Sequence, residues 1–102
     1  MSEFIEPWEA PMADQQSQHF QDELQREIAQ DHILSGLTVR TLAYRVDRDD
    51  VAFIVDGGPR VAVVHLTYSV ETTPDWPTTK FYDSVEEFLR NRMKPDHEEY
   101  VL

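Results

Sequence analysis

Three short runs of β-branched and aromatic residues follow one another between residues 38 and 69. They cover residues 38–46, 51–56 and 60–69, and short polar or glycine-containing turns separate them. Because side chains alternate between the two faces of a strand, short runs of this kind between turn signals predict strands. Short links join antiparallel neighbours, so the sequence predicts a three-stranded antiparallel meander.

A helical period precedes the meander. Phe20, Leu24 and Ile28 recur every four residues, which places them on one stripe of a helix. Asp14 is a candidate N-cap, and Gly36 can close the helix because glycine accepts the left-handed conformation. The sequence therefore predicts a one-sided helix that begins at Asp14 and ends near Gly36.

A second helical period follows the meander. Ser84 and Glu87 have the spacing of a capping box, in which each side chain binds the other residue's backbone amide. Apolar residues then fall on one face, and Pro95 is expected to stop the helix. Residues 71–80, between the meander and this helix, contain two prolines and several threonines, which indicates a loop.

These elements predict an α+β fold in the order α-β-β-β-α. Each helix must bury its apolar stripe, and one face of the sheet is the large apolar surface available, so we expect a two-layer sandwich with both helices on one face. The third run is nevertheless apolar on both faces of its strand. We expect its second face to be covered either by the N-terminal residues and the loop around Trp76 or by self-association with another copy of the chain.

The length of 102 residues suits one domain. Prolines and alternating acids predict a flexible acidic arm at residues 1–13, followed by a single α+β domain at residues 14–95 and a mobile acidic tail at residues 96–102. The N-terminus lacks the basic start and apolar core of a signal peptide, and no apolar run reaches the length of a membrane span. We therefore expect a cytoplasmic protein.

Acidic residues outnumber basic ones by 20 to 9, and the net charge is −11. The first 35 residues hold eight of the acids and one base. Binding to nucleic acid or to an anionic membrane requires a basic surface, so the composition argues against both partners. A basic protein partner is compatible with this charge, and so is the simpler interpretation that acidity keeps the domain soluble.

His65 is an unusual residue within the apolar third run. A neutral imidazole can act as an acid, a base or a metal ligand, and it can equally stabilise a strand by a hydrogen bond to a backbone carbonyl or to Tyr44. Ser69 lies four residues along the strand, about 13 Å away at about 3.3 Å per residue, which is too far for direct proton transfer. The other histidines show no metal-ligand spacing, and the chain has no cysteine. The sequence therefore predicts no metal site and no cofactor, and it identifies no catalytic set.

Aromatic residues gather around the end of the third run. Tyr44, Tyr68, Trp76 and Tyr82 are candidate binding residues beside His65, because aromatic side chains supply much of the contact energy at protein interfaces. The alternative is that Trp76 covers the open edge of a small core. Either interpretation places an anchored loop next to His65.

The segments SGLTVR, VAVVHLTYS, WPTT, SVEEF and RMKPD stand in an order that resembles a group of small uncharacterised bacterial proteins. Those proteins have a histidine-leucine-threonine-aromatic signature at the end of the last strand, followed by Trp-Pro and a helix. The resemblance covers about residues 20–99 and implies a bacterial cytoplasmic domain without implying an activity. Tyr68 stands where the resemblance leads us to expect tryptophan, and the exchange keeps an aromatic ring.

The sequence favours a non-enzymatic domain that binds another protein through its acidic first helix or the surface around Trp76. One form of this hypothesis is an acidic neutraliser of a basic protein, comparable to an immunity protein. The alternative is a small enzyme or ligand binder that uses His65 near Tyr68 and Trp76. An exposed His65 in a concave pocket favours this alternative, whereas a buried and hydrogen-bonded His65 removes it.

Overall fold

The chain forms a five-stranded antiparallel sheet with helices on both faces, in a computed structural model that describes residues 4–102. The strands are β1 (Trp8–Glu9), β2 (Val39–Arg45), β3 (Asp50–Val55), β4 (Val61–His65) and β5 (Thr79–Tyr82). The helices are α1 (Asp14–Glu27), α2 (Val85–Phe88) and α3 (Lys94–Tyr100), and a π-helical turn (Leu89–Met93) joins the last two into one C-terminal helix. The strands lie in the order β1-β2-β3-β4-β5, each antiparallel to its neighbour.

The predicted α+β class is confirmed, and β2, β3 and β4 form a meander at the centre of the sheet. The prediction of three strands is wrong, because a short strand is added at each edge. β1 lies in the segment predicted as an arm, and β5 begins within the segment predicted as a loop. Both strands are too short to show an alternating pattern, and they form because β2 and β4 offer backbone groups for pairing.

The helices lie on opposite faces of the sheet. On one face, Phe20 and Leu24 of α1 pack against alternate residues of β3 and β4. On the other face, Phe88 of the C-terminal helix and Trp8 cover the remaining residues of the same strands. The predicted two-layer sandwich with both helices on one face is therefore wrong, since central strands that are apolar on both faces need two covers. Both covering layers belong to the same chain. The apolar second face, from which the sequence suggested self-association, is therefore covered by the chain's own C-terminal helix and Trp8.

The C-terminal helix begins at the predicted capping box and continues past its predicted end. The Ser84 hydroxyl accepts a hydrogen bond from Glu87 N at 3.1 Å as predicted, but the Glu87 carboxylate accepts its hydrogen bond from Asp83 N rather than from Ser84 N. The prediction that Pro95 stops the helix is wrong, because α3 runs to Tyr100. Pro95 lies directly after the π-helical turn, whose wider hydrogen-bonding pattern interrupts the regular α-helical one at this point.

The two ends of the described chain pack together. Trp8 is 1% exposed, and its indole Nε1 donates a hydrogen bond to Asp96 Oδ2 at 2.9 Å. His97 Nδ1 lies 2.6 Å from the backbone oxygen of Glu6. Residues of the predicted arm and tail therefore contact the domain predicted at residues 14–95. Residues 1–3 of that arm lie outside the described residues.

α1 begins at Asp14 as predicted, but its N-cap and its end differ from the prediction. Its N-cap is Ala13 rather than Asp14, and its last residue is Glu27 rather than a residue near Gly36. Residues 30–36 form turns and a bend instead. Among residues 4–102, no helix has the length and apolar character to cross a membrane.

The buried side chain of His32 holds these turns in place. Leu34 N donates to His32 Nδ1 at 3.0 Å, so the ring proton must be on Nε2, which lies 2.9 Å from the backbone oxygen of Pro77. One imidazole therefore connects the chain after α1 with the loop before β5.

Candidate functional site

His65 is the last residue of β4 and pairs with Asp50, the first residue of β3. Its side chain is 49% exposed, and Nδ1 lies 2.7 Å from Oδ1 of the buried Asp50. The partner is thus a carboxylate rather than a backbone carbonyl or Tyr44. Since a carboxylate accepts hydrogen bonds, Nδ1 carries the proton, and Nε2 has no hydrogen-bond partner among the described residues 4–102.

Asp50 connects His65 with ion pairs beneath the C-terminal helix. Asp50 Oδ2 accepts a hydrogen bond from an Arg92 Nη at 2.9 Å, and Arg92 Nε donates to Asp96 Oδ2 at 2.9 Å. Burial alone would lower the pKa of Arg92, but hydrogen bonds with Tyr82 and Asp96 outweigh burial and raise it. The guanidinium therefore stays charged and fixes the position of the Asp50 carboxylate beside the imidazole.

A groove with a volume of about 300 Å³ opens beside His65. Lys80 of β5, Arg92 and Thr78 also line it. Asp50 reaches the groove as well, but its two oxygens are bound by His65 and Arg92. The groups on this surface that can bind an anion are therefore the imidazole, the two permanent cations and the Thr78 hydroxyl, since the Thr79 hydroxyl donates to the backbone oxygen of Pro77.

The Asp50–His65 pair can hold a proton at Nδ1 and exchange one at Nε2. Nucleophilic catalysis would also need a hydroxyl next to Nε2, and none is hydrogen-bonded there in the described part of the chain. Across residues 4–102, no group of three or more His, Asp or Glu side chains is placed to hold a metal ion. The arrangement is therefore suited to binding and to proton exchange.

The five predicted site residues do not form one patch. His65 and Tyr82 lie on the face of the C-terminal helix, where Tyr82 is buried and its ring lies 5.8 Å from Lys80 Nζ. Tyr44 and Tyr68 line a separate concavity of about 360 Å³ on the side of α1. Trp76 is 47% exposed in the loop before β5 and lines neither concavity.

One buried carboxylate fastens the loop after β4 to α1. Glu27 Oε1 accepts a hydrogen bond from Thr67 N at 2.7 Å and lies 3.0 Å from Thr67 Oγ1, and Oε2 accepts a hydrogen bond from Tyr68 N at 2.8 Å. Tyr68 has a φ of +57°, a conformation that bulky residues rarely adopt. The hydrogen bonds of Glu27 therefore hold the backbone from which the Tyr68 ring projects.

The pKa of Glu27 is raised, whereas that of the neighbouring Glu23 is lowered. Burial raises the pKa of Glu27, and a hydrogen bond with Glu23 raises it further, against the lowering effect of the donors in the loop. Burial would also raise the pKa of Glu23, but its hydrogen bond to Arg26 and its contact with Glu27 lower it overall. A proton shared by these carboxyl groups therefore favours Glu27.

The sequence interpretation missed four residues that form or support the candidate site, which are Asp50, Lys80, Arg92 and Glu27. Asp50 is one of four adjacent charged residues in a polar turn, and Lys80 lies on a strand that was not predicted. Arg92 resembles an ordinary cation near a helix end. Glu27 alone left a signal, because it follows Leu24 by three residues and so falls on the apolar stripe of α1.

Comparison with known proteins gives no relative of this chain. No family model, no curated protein and no solved structure matches it. The resemblance to small bacterial proteins therefore stays a prediction, as do the bacterial origin and the cytoplasmic location.

Proposed function

We propose that the chain binds a small anionic ligand in the groove beside His65. The observation that carries this proposal is an exposed imidazole, held by the buried Asp50 carboxylate, on the same concave surface as Lys80 and Arg92. An exposed His65 in a concave site favours the ligand-binding alternative drawn from the sequence. The neighbours of His65 in the groove are Lys80 and Arg92, whereas the sequence had suggested Tyr68 and Trp76.

The groups that line the groove have different parts in binding. Asp50 occupies Nδ1 of His65, so a protonated ring presents Nε2–H to the ligand. Arg92 is held by two carboxylates, which partly neutralise its charge but leave it little side-chain freedom to lose when an anion binds. Lys80 adds a flexible ammonium group from the edge strand.

The size and charge of the groove limit the ligand. A volume of about 300 Å³ lies at the small end of ligand pockets and fits a carboxylate or phosphate compound with few atoms. The net charge of −11 repels anions at long range, so binding depends on the local cations. We therefore expect a modest affinity for the anion, and a large loss of affinity when either His65 or Lys80 is replaced.

Inorganic phosphate is the probe that tests the groove. Titrated into ¹⁵N-labelled protein slightly below neutral pH, it is expected to shift the amide signals of Thr78 and Lys80 and the ring signals of His65. Lys80→Ala and His65→Gln should each weaken binding about tenfold, since each removes a charge-assisted hydrogen bond worth about 1.5 kcal/mol.

Lys94→Ala is the matched control, because Lys94 is an exposed lysine that does not line the groove. It changes the net charge by the same amount as Lys80→Ala and should leave phosphate binding nearly unchanged. Equal losses in the two lysine variants would show that phosphate senses the overall charge and would contradict the proposed site.

A second candidate function is association with a basic protein, as the sequence predicts. It is supported by the exposed side chains of Tyr68, Val70 and Trp76 after β4 and by the acidic first 35 residues. An immunity-like neutraliser of a basic protein is one form of this function.

A synthetic arginine-rich peptide tests this second function by calorimetry. Its affinity is expected to fall at least about tenfold between low and physiological salt, because the screening length falls from about 30 Å to about 8 Å. A peptide of the same length with citrulline in place of arginine should not bind. Failure of the arginine-rich peptide to bind at low salt would remove this candidate.

A further inference from the structure

The second concavity lies between the end of β2, the start of β3 and the loop after β4. Its volume is about 360 Å³, and the rings of Phe20, Tyr44 and Tyr68 line it, so we name it the tyrosine pocket. The Phe20 and Tyr44 ring centroids are 5.3 Å apart, and Tyr68 stacks with His19 at 6.5 Å. The pocket thus presents aromatic surfaces contributed by three different parts of the chain.

Carboxyl groups surround these rings. Asp49 lines the pocket, and Glu9 Oε2 accepts a hydrogen bond from the Tyr44 hydroxyl at 3.4 Å. Burial raises the pKa of Tyr68, and the negative charges of Asp49 and of two glutamates on α1 raise it further. These carboxylates attract a cation to the rings, whereas Arg45 and Arg48, which also line the pocket, act against it.

Two arginines border the pocket, but their guanidinium groups are paired with other residues. Arg45 lies 2.9 Å from Asp47 and 3.3 Å from Asp96, and Arg48 lies 3.9 Å from Glu99 on the C-terminal helix. Their charges are thus partly neutralised by the side chains that hold them, and the rings of the pocket remain available to a cation from another molecule.

We propose that the tyrosine pocket binds the guanidinium group of an arginine side chain presented by a basic protein. A planar guanidinium stacks on aromatic faces and is attracted by their negative quadrupole. The carboxylates beside the rings add attraction for the positive charge. This site rests on the second candidate function, association with a basic protein, and specifies the group that is recognised and the place where it binds.

The pocket has the rigidity that such recognition requires. Glu27 binds the backbone N–H groups of Thr67 and Tyr68, which fixes the loop that carries one aromatic wall. Tyr44 lies on β2 and Phe20 on α1, so the other walls belong to regular elements of the fold. Little ordering is needed on binding, which leaves more of the contact energy for affinity.

Nα-acetylarginine methylamide is the probe for this pocket, and the matching citrulline compound is its neutral control. Added to ¹⁵N-labelled protein slightly above neutral pH, the arginine compound is expected to shift amide signals at residues 44–51 and 68. Tyr68→Leu keeps an apolar side chain but removes the ring, and it should weaken binding about fivefold, the equivalent of one exposed cation–π contact.

Tyr100→Leu is the control variant, since Tyr100 is a similarly exposed aromatic residue outside the pocket. Asp49→Asn is a second test and should weaken arginine binding without changing the rings. Three results would overturn the pocket. They are equal signal shifts with the citrulline compound, shifts spread over the acidic surface, and equal losses of binding in Tyr68→Leu and Tyr100→Leu.

The arginine-rich peptide separates failure of the site from failure of the function. Equal peptide binding by the wild type and Tyr68→Leu would leave the second candidate function standing and overturn the pocket as its site. If the arginine compound occupies the pocket but the peptide does not bind, the proposed association with a basic protein is wrong.

Discussion

Replacing Glu27 with glutamine is expected to lower the free energy of unfolding by about 2–4 kcal/mol near neutral pH. Glu27 is fully buried, and its two oxygens accept hydrogen bonds from the backbone amides of Thr67 and Tyr68. An amide side chain has one oxygen, so in either orientation its NH₂ group faces one of these donors. Urea denaturation of the variant and the wild type measures the loss.

Glu71→Gln is the matched control, because Glu71 accepts a hydrogen bond from the Thr67 hydroxyl but is only partly buried. It should cost less than about 1 kcal/mol. A similar loss in both variants would show that Glu27 does not have a special part in holding the loop.

Urea denaturation at several pH values tests whether the pKa of Glu27 is raised in the folded chain. The folded chain keeps a proton on Glu27 that the unfolded chain releases near pH 4.5, so the contribution of this residue falls as pH rises from 4.5 through the folded pKa. The stability difference between the wild type and Glu27→Gln should therefore shrink as pH rises through this window. For Glu23→Gln the difference should grow as pH rises, since the lowered pKa of Glu23 gives a contribution that acid removes.

Replacing Asp96 with alanine is expected to cost about 2–4 kcal/mol of stability. Asp96 accepts hydrogen bonds from Trp8 Nε1 and Arg92 Nε, and it lies 3.3 Å from the buried guanidinium of Arg45. Its removal leaves buried donors without their acceptor, although Arg45 keeps Asp47 as a partner. Thermal and urea unfolding measure the change.

Two variants make the Asp96 experiment specific. Glu98→Ala changes an exposed acid on the same helix and should stay within about 0.5 kcal/mol of the wild type. Asp96→Asn keeps one acceptor oxygen and should cost less than the alanine variant. Equal stability of Asp96→Ala and Glu98→Ala would mean that the end of the chain does not contribute to the packed structure.

The sequence predicted the elements whose signals are local. The capping box at Ser84 and the three central strands depend on residues close together in the chain, and both were recognised. The edge strands, the end of α1 and the helix beyond Pro95 depend on partners far away in the sequence, so no local pattern indicated them. The apolar second face was read correctly, but its main cover, the C-terminal helix, was assigned to the other face.

The Asp50–His65 pair could be derived from the sequence by counting residues along the paired strands, although the hydrophobic periodicity does not reveal it. Gly57 and Gly58 adopt positive φ in the turn between β3 and β4. Counting outward from this turn with the observed pairing places Asp50 opposite His65. The pair could have been predicted once the length of the turn was fixed, whereas Arg92 reaches Asp50 from another layer and could not.

Asp49 and Asp50 give the turn between β2 and β3 an uncommon sensitivity to length. Both acids line the tyrosine pocket, but Asp50 also lines the groove, and its carboxylate binds His65 and Arg92 on the side of the C-terminal helix. Exposed turns usually tolerate insertions and deletions. Here a single added or lost residue that shifted the strand register would exchange the faces of the two carboxylates. We therefore expect the number of residues in this turn to be as constrained as the two acids themselves.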